Sequence, residues 1–221
     1  MNKVSAIVVA AGEGKRFGAA KQFARLKGKT VLDWSLEQFE KHEAVDCVIL
    51  VLGRDRPGDE YLAKYRKIAA LARGGAKRQD SVYSGLICVD FQETDIILVH
   101  DGVRPLVGMD LIGRIVDTTR EKGAVVPVLP LEDTVKRVEE EKVLRTEERG
   151  ELFRIQTPQG FRASLLREAF SRALADHFDG TDEAVLVERM GKDVFAVPGD
   201  RKNVKITTPI DLKIAEALIE A

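Results

Sequence analysis

The sequence predicts an α/β fold: a Rossmann-like, mostly parallel twisted sheet with helices on both faces, plus a projecting β-arm for dimerisation. Three observations carry this. Val-rich apolar runs recur along the chain, apolar residues at helical spacing lie between them, and one highly charged stretch breaks the alternation. Strands alternating with helices imply βαβ units, and those imply parallel strands covered on both faces.

The elements follow in order. Residues 4–11 form an almost unbroken apolar run, as a strand buried on both faces does. Thr30 with Asp33 has the spacing of a capping box, and Leu32, Leu36 and Phe39 follow at i, i+4, i+7. Residues 46–52 predict the next strand, Val82, Leu86 and Val89 a helix, and residues 95–99 another strand. Ile112, Ile115, Val116 and Thr119 share one helical face, and residues 124–129 return to strand. Residues 132–149, EDTVKRVEEEKVLRTEER, hold isolated apolar residues at Val135, Val138, Val143 and Leu144 among charges. They read as a hairpin or arm, plainly an exposed charged loop or, more sharply, an arm that packs on a second subunit for the burial it lacks. Leu165/Leu166, Ala169/Phe170 and Ala173/Leu174 make a doubled helical stripe, and residues 193–197 predict a last strand. Pro209 after Thr208 opens a final helix with Ile210, Ile214 and Leu218 on one face.

Composition narrows the function. The chain has 221 residues, 35 Lys plus Arg and 36 Asp plus Glu, for a net charge of -1. That balance argues against a nucleic-acid coat or an anionic-membrane partner, which need excess base. No run reaches the roughly 18 apolar residues of a membrane span. Cys47 and Cys88 both lie in apolar runs and read as small buried hydrophobes in a reducing compartment, so a cytoplasmic location is expected. One domain over residues 1–221 is expected, with residues 132–149 as its arm.

Ligands of open α/β sheets bind beyond the carboxyl ends of the strands. The first such turn reads Ala10-Ala11-Gly12-Glu13-Gly14-Lys15-Arg16-Phe17-Gly18. Its glycines are spaced GxGxxxG, which is not the dinucleotide fingerprint, and Arg16 stands where a Walker A loop has Ser or Thr. Small residues still let backbone N–H groups approach phosphates, with Lys15, Arg16 and Lys21 as counter-charge. On residues alone, an ordinary turn with solvated bases fits equally. Two further turns add weight: Arg73-Gly74-Gly75-Ala76-Lys77-Arg78-Gln79-Asp80-Ser81, and His100-Asp101-Gly102-Val103-Arg104-Pro105. Asp101 there suits a Mg²⁺ ion shared with phosphates, although a simple Asp-Gly turn reads the same way.

In sequence, AAGEGKRFG with KQF, GGAKRQDSVYSGL, VHDGVRP, QTPQGF, TDEA and NVKITTPIDL resemble the 2-C-methyl-D-erythritol 4-phosphate cytidylyltransferases, nucleotidyltransferases of the non-mevalonate isoprenoid pathway. The resemblance implies CMP transfer from CTP to methylerythritol phosphate, Mg²⁺, and a homodimer whose arm completes the partner's site. It implies Arg16 and Lys21 as the catalytic basic pair, with Arg162 and Lys205 positioning the acceptor. Ala10, Ala11, Gly12, Gly14 and Lys15 would meet ribose and phosphates, Gly74 and Ser81 the cytosine, and Asp101 and Gly102 the ribose and metal. Arg104, Thr146 and Thr181 would bind the acceptor, with Thr146, Arg162 and Thr181 coming from the partner. Plainer roles stay open: Thr181 before Asp182 and Glu183 fits a helix N-cap, and Lys205 and Arg162 fit solvated positions. The alternatives are a ribitol 5-phosphate cytidylyltransferase and, from another class, a non-catalytic nucleotide-binding module.

Overall fold

The computed structural model describes residues 3–53 and 58–220. Strand β1 (Lys3–Ala10) runs into the glycine loop, after which a two-stranded ribbon, β2 (Arg25–Leu26) and β3 (Lys29–Thr30), leads to helix α1 (Val31–Lys41). The predicted capping box is present: Thr30 Oγ1 accepts from the Asp33 N–H at 3.0 Å, and Asp33 Oδ2 accepts from the Thr30 N–H at 3.2 Å. Then come β4 (Cys47–Leu52), α2 (Asp59–Lys64), β5 (Ile68–Arg73), α3 (Arg78–Leu86), β6 (Thr94–Asp101), α4 (Met109–Lys122) and β7 (Ala124–Pro130). The arm is β8 (Lys136–Glu139) and β9 (Lys142–Thr146). Beyond it lie β10 (Phe153–Ile155), β11 (Gln159–Arg162), α5 (Ala163–Ala175), α6 (Ala184–Arg189), β12 (Phe195–Pro198) and α7 (Pro209–Glu220).

Eight strands share one sheet in the order β10-β7-β11-β6-β1-β4-β5, with β12 also on β7. The β6-β1-β4-β5 half is parallel throughout, and β12 is parallel to β7. Two antiparallel strands that the sequence pattern did not predict enter the sheet: β11 lies between β6 and β7, and β10 lies on the far edge of β7. Helices α1 and α4 bury Leu32, Leu36, Phe39, Ile112, Ile115 and Val116 against one face of the sheet. Val82, Leu86, Leu166, Phe170 and Leu186 from α3, α5 and α6 cover the other. Side chains of β1 alternate between these layers, Val4, Ala6 and Val8 to one and Ile7 to the other. That alternation explains why the run reads as apolar throughout.

Several expectations are corrected. Cys88 is exposed, two residues past the end of α3 at Leu86, while Cys47 is half-buried. The Ile210/Ile214 stripe of α7 faces outward, at 59% and 45% exposure. Leu212, Ala215 and Ile219 are the residues that pack instead, in a small cluster with Leu26, Val31 and Ile206. The arm is the predicted hairpin: all nine residues of its two strands are exposed, including Val138 and Val143, and Glu140 and Glu141 turn the chain with positive φ. Glu147 accepts from Arg137 and Arg145 at its base.

Candidate active site

The carboxyl ends of β1 and β6 open into a cleft of 410 Å³ between the glycine loop and the start of α3. The loop is held from below. Gln22, 4% exposed, donates through Nε2 to the Ala10 carbonyl at 2.9 Å and the Gly12 carbonyl at 3.0 Å, which ties the end of β1 to the return of the loop. Gly14 has φ +72°, and its carbonyl accepts from the Phe17 and Gly18 N–H groups, so the turn closes on a residue in the left-handed region. Across the cleft, Gly74 packs so closely on β1 that a Cβ would come 2.2 Å from Ala11 Cβ. Ser81 Oγ accepts from the Gly75 N–H at 3.1 Å and so fixes that second loop on the first turn of α3.

Asp101 lies at the floor, at the tip of β6. Its Oδ2 is 2.7 Å from Lys205 Nζ and its Oδ1 accepts from Arg78 Nε at 3.1 Å. Burial works to raise its pKa, but Arg78, Lys205 and Arg104 outweigh it and hold the carboxyl well below the usual range. Asp101 is therefore a carboxylate at any working pH. Lys21 also lines the cleft; burial, then the charges of Lys205 and Arg16, lower its pKa. Among the described residues no group of three or more His, Cys, Asp or Glu can cage a metal. One buried carboxylate beside a basic wall fits a hard cation whose remaining ligands are phosphate oxygens and water. His100, adjacent in sequence, is fully buried between Phe39 and Thr157, and burial lowers its pKa to about 3. It is neutral at pH 7 and out of reach of any ligand.

Of the residues singled out from the sequence, Ala10, Ala11, Gly12, Gly14, Lys15, Lys21, Ser81, Asp101 and Lys205 line this cleft. Gly74 lines its continuation with Ala11, Gly12 and Gly75. Arg16 is exposed on the loop, close enough for its charge to act on Lys21. Gly102 lies beneath the cleft with both backbone groups taken, its N–H by the Val9 carbonyl and its C=O by Ser35 Oγ. Arg104 is likewise buried, donating through Nη1 to the Asn203 carbonyl at 2.8 Å, so it supports the Lys205 segment from behind. Thr181 is exposed, two residues before Glu183, and does not cap α6; Asp182 Oδ1 accepts from the Val185 N–H instead. Thr146 is exposed on the arm, accepting from Lys136 Nζ at 2.6 Å.

Arg162, expected to serve the partner's site, lies away from the cleft of its own chain. In the antiparallel register it lies opposite Ile96, five residues before Asp101, which puts it roughly 16 Å down the sheet. Its Nη2 donates to the Arg120 carbonyl there. The residues missed from the sequence are Gln22 as the loop's tie, Arg78 with Glu183, and Thr157, whose Oγ1 accepts from the Asp101 N–H at 3.0 Å.

The 2-C-methyl-D-erythritol 4-phosphate cytidylyltransferase family model matches residues 4–221. The chain belongs to this family. The chain is 43% identical over 219 residues to the 2-C-methyl-D-erythritol 4-phosphate cytidylyltransferase of Bacillus cytotoxicus, covering 96% of each, and 42% identical over 226 residues to that of Geobacter metallireducens, covering 98% and 97%. Among solved structures, the Thermus thermophilus 2-C-methyl-D-erythritol 4-phosphate cytidylyltransferase superposes with a TM-score of 0.84 at 35% identity, covering 99% of this chain and 100% of that one. The Anaerococcus prevotii 4-diphosphocytidyl-2C-methyl-D-erythritol synthase gives 0.87 at 30% identity, covering 100% and 99%. No helix among the described residues is long and apolar enough to cross a membrane.

Proposed function

We propose that this chain transfers CMP from CTP to 2-C-methyl-D-erythritol 4-phosphate, releasing pyrophosphate and forming 4-diphosphocytidyl-2-C-methyl-D-erythritol, in the cytoplasm and as a homodimer. The observation that carries it is the charge pattern of the cleft: an ionised Asp101 bracketed by Lys205, with Lys21 beside it under a loop of small residues. The attacking phosphate monoester has its second pKa near ~6, so it is already ionised at pH 7 and needs no general base. The burial of neutral His100 accords with that.

The chemical problem is bringing a dianion up to a polyanion. Lys21 and Arg16 offset the charge that builds on the α-phosphate and departing pyrophosphate, Lys21 as a point charge and Arg16 as a planar fork. The loop from Gly12 to Lys15 offers backbone N–H groups to the phosphates, and Gly74 and Ser81 wall the base. Lys205 holds the acceptor phosphate together with Thr181 of the partner subunit, with Arg104 fixing Lys205 from behind. Asp101 would hold Mg²⁺, which when bound supplies further charge compensation on the phosphates. The arm, with Thr146 at its end, lends acceptor contacts to the partner, which covers the exposed Val138 and Val143 in exchange.

The test is pyrophosphate release from CTP and Mg²⁺ with methylerythritol phosphate, with ribitol 5-phosphate, and with no acceptor. Release with the first alone is expected. Release only with ribitol phosphate, or CTP binding with no release, overturns the proposal.

A further inference from the structure

Arg78 and Glu183 have no role in the reaction as derived so far, yet they form a largely enclosed ion pair beside the cleft. They lie 105 residues apart, Arg78 opening α3 and Glu183 just before α6. Arg78 Nη1 donates to both Glu183 oxygens at 2.7 and 3.0 Å, Nη2 donates to Oε2 at 3.0 Å, and Nε donates to Asp101 Oδ1 at 3.1 Å. The Glu183 side chain is 1% exposed and that of Asp101 9%. A guanidinium has five N–H groups, so these bonds nearly exhaust it. Arg78 lines the cleft but has little left to offer a ligand.

Stability does not account for the pair, because apolar side chains of similar volume usually serve a protein interior as well or better. Its geometry does something apolar residues cannot. Asp101 is held at Oδ1 by Arg78 and at its backbone N–H by Thr157 Oγ1, while Oδ2 pairs with Lys205 Nζ at 2.7 Å on the cleft side, the partner an arriving cation would displace. Glu183 in turn neutralises Arg78, which otherwise would be a cation free to swing onto an incoming polyanion.

We propose that Arg78 is a positioning residue: anchored by Glu183, it fixes the Asp101 carboxylate so that Oδ2 is presented to a divalent cation arriving with the nucleotide. The proposal rests on the function proposed above. A single ammonium at position 78 cannot bridge two carboxylates as the planar fork does. Groups that orient a metal ligand in this way typically contribute about 10–100-fold to metal affinity or activity.

The experiment measures CTP binding by calorimetry across a Mg²⁺ series, with no acceptor present, alongside thermal unfolding. It compares wild type with Arg78→Lys and with Arg78→Met combined with Glu183→Leu. Both variants are expected to require about 10–100-fold more Mg²⁺ for half-maximal CTP binding, and the double variant to melt no lower than wild type. A folded variant with wild-type Mg²⁺ dependence overturns the assignment. If Arg78→Lys strands the buried Glu183 and fails to fold, the double variant decides; a double variant that also fails to fold makes the pair a structural tie and overturns it too. Wild-type CTP binding that ignores Mg²⁺ sinks the metal role of Asp101 itself, a result distinct from any variant effect.

Discussion

Gly12 and Gly14 look equivalent in the loop sequence, and the structure separates them. A Cβ at Gly12 would meet nothing within 4 Å, whereas one at Gly14 would sit 1.8 Å from the Ala19 carbonyl oxygen and 3.3 Å from the Lys21 nitrogen, at φ +72°. Holding a non-glycine residue in the left-handed region costs about 1–2 kcal/mol. The overlap with a backbone oxygen cannot be relieved by rotating a side chain, so that figure is a floor. Gly14→Ala therefore opens the turn, releases the Phe17 and Gly18 N–H groups from the Gly14 carbonyl, and displaces Lys21. Felt entirely in binding, the strain alone weakens CTP affinity about 5–30-fold. Calorimetric titration of CTP at fixed Mg²⁺ reads this directly. Because the loop lies at the cleft rim, outside both core layers, the melting temperature should change little, and Gly12→Ala should leave it unchanged. A Gly14→Ala protein with wild-type CTP affinity would refute the reasoning.

Lys21→Ala should lower kcat by about 10²-fold or more with the fold intact, and an unchanged kcat removes Lys21 from the reaction. Because burial and neighbouring cations lower the Lys21 pKa, the alkaline limb of the rate profile should fall below the ordinary lysine range, and Lys21→Arg should move it upward; identical limbs count against the assignment. Asp33 is held at about 2: burial would raise it, but hydrogen bonds from Lys64, Thr30 and Tyr65 prevail. A lowered carboxylate stabilises the fold above its unfolded pKa and loses that contribution as pH falls through the folded one. Asp33→Asn should therefore cost about 1–2 kcal/mol near neutral pH, after discounting for the half-exposed Lys64. In urea unfolding the gap should narrow between about pH 5 and pH 3, and a gap independent of pH refutes it. Deleting residues 135–145 should give monomers by light scattering with weakened acceptor binding, and an active dimer would contradict the arm's role.

How much of this was legible in the sequence depended on whether the signal was local. The capping box at Thr30 and Asp33, the apolar run of β1 and the stripe of α4 are each written within a dozen residues, and each is where it was expected. Strand β11 is four residues containing a glycine, so no period of two can establish itself, and its antiparallel entry between β6 and β7 is set by partners distant in sequence, Val99 to Ile96 on one side and Val125 and Ala124 on the other. The family resemblance assigns Arg162 to the acceptor site as a residue of the partner; within its own chain, an antiparallel strand starting beside Val99 carries its last residue away from Asp101. Strand β5, IAALAR, is Ala-rich and carries no strand pattern; the edge of β4 makes it one. The pairing of Arg78 with Glu183 joins two ordinary-looking charges across 105 residues, and only the packing of α3 against the turn before α6 brings them together.

The partners of β7 have a consequence for how the chain is made. Every strand hydrogen-bonded to it, β10, β11 and β12, lies later in the sequence, whereas the parallel half of the sheet is complete once β6 exists. During synthesis from the N-terminus, the nucleotide-facing half can form first, while β7 waits beside it with both backbone edges open. A nascent chain that has emerged only as far as residues 130–153 would thus display an apolar strand ready to template pairing with another chain, so the charged arm that follows β7 is also the first solubilising segment to emerge behind it.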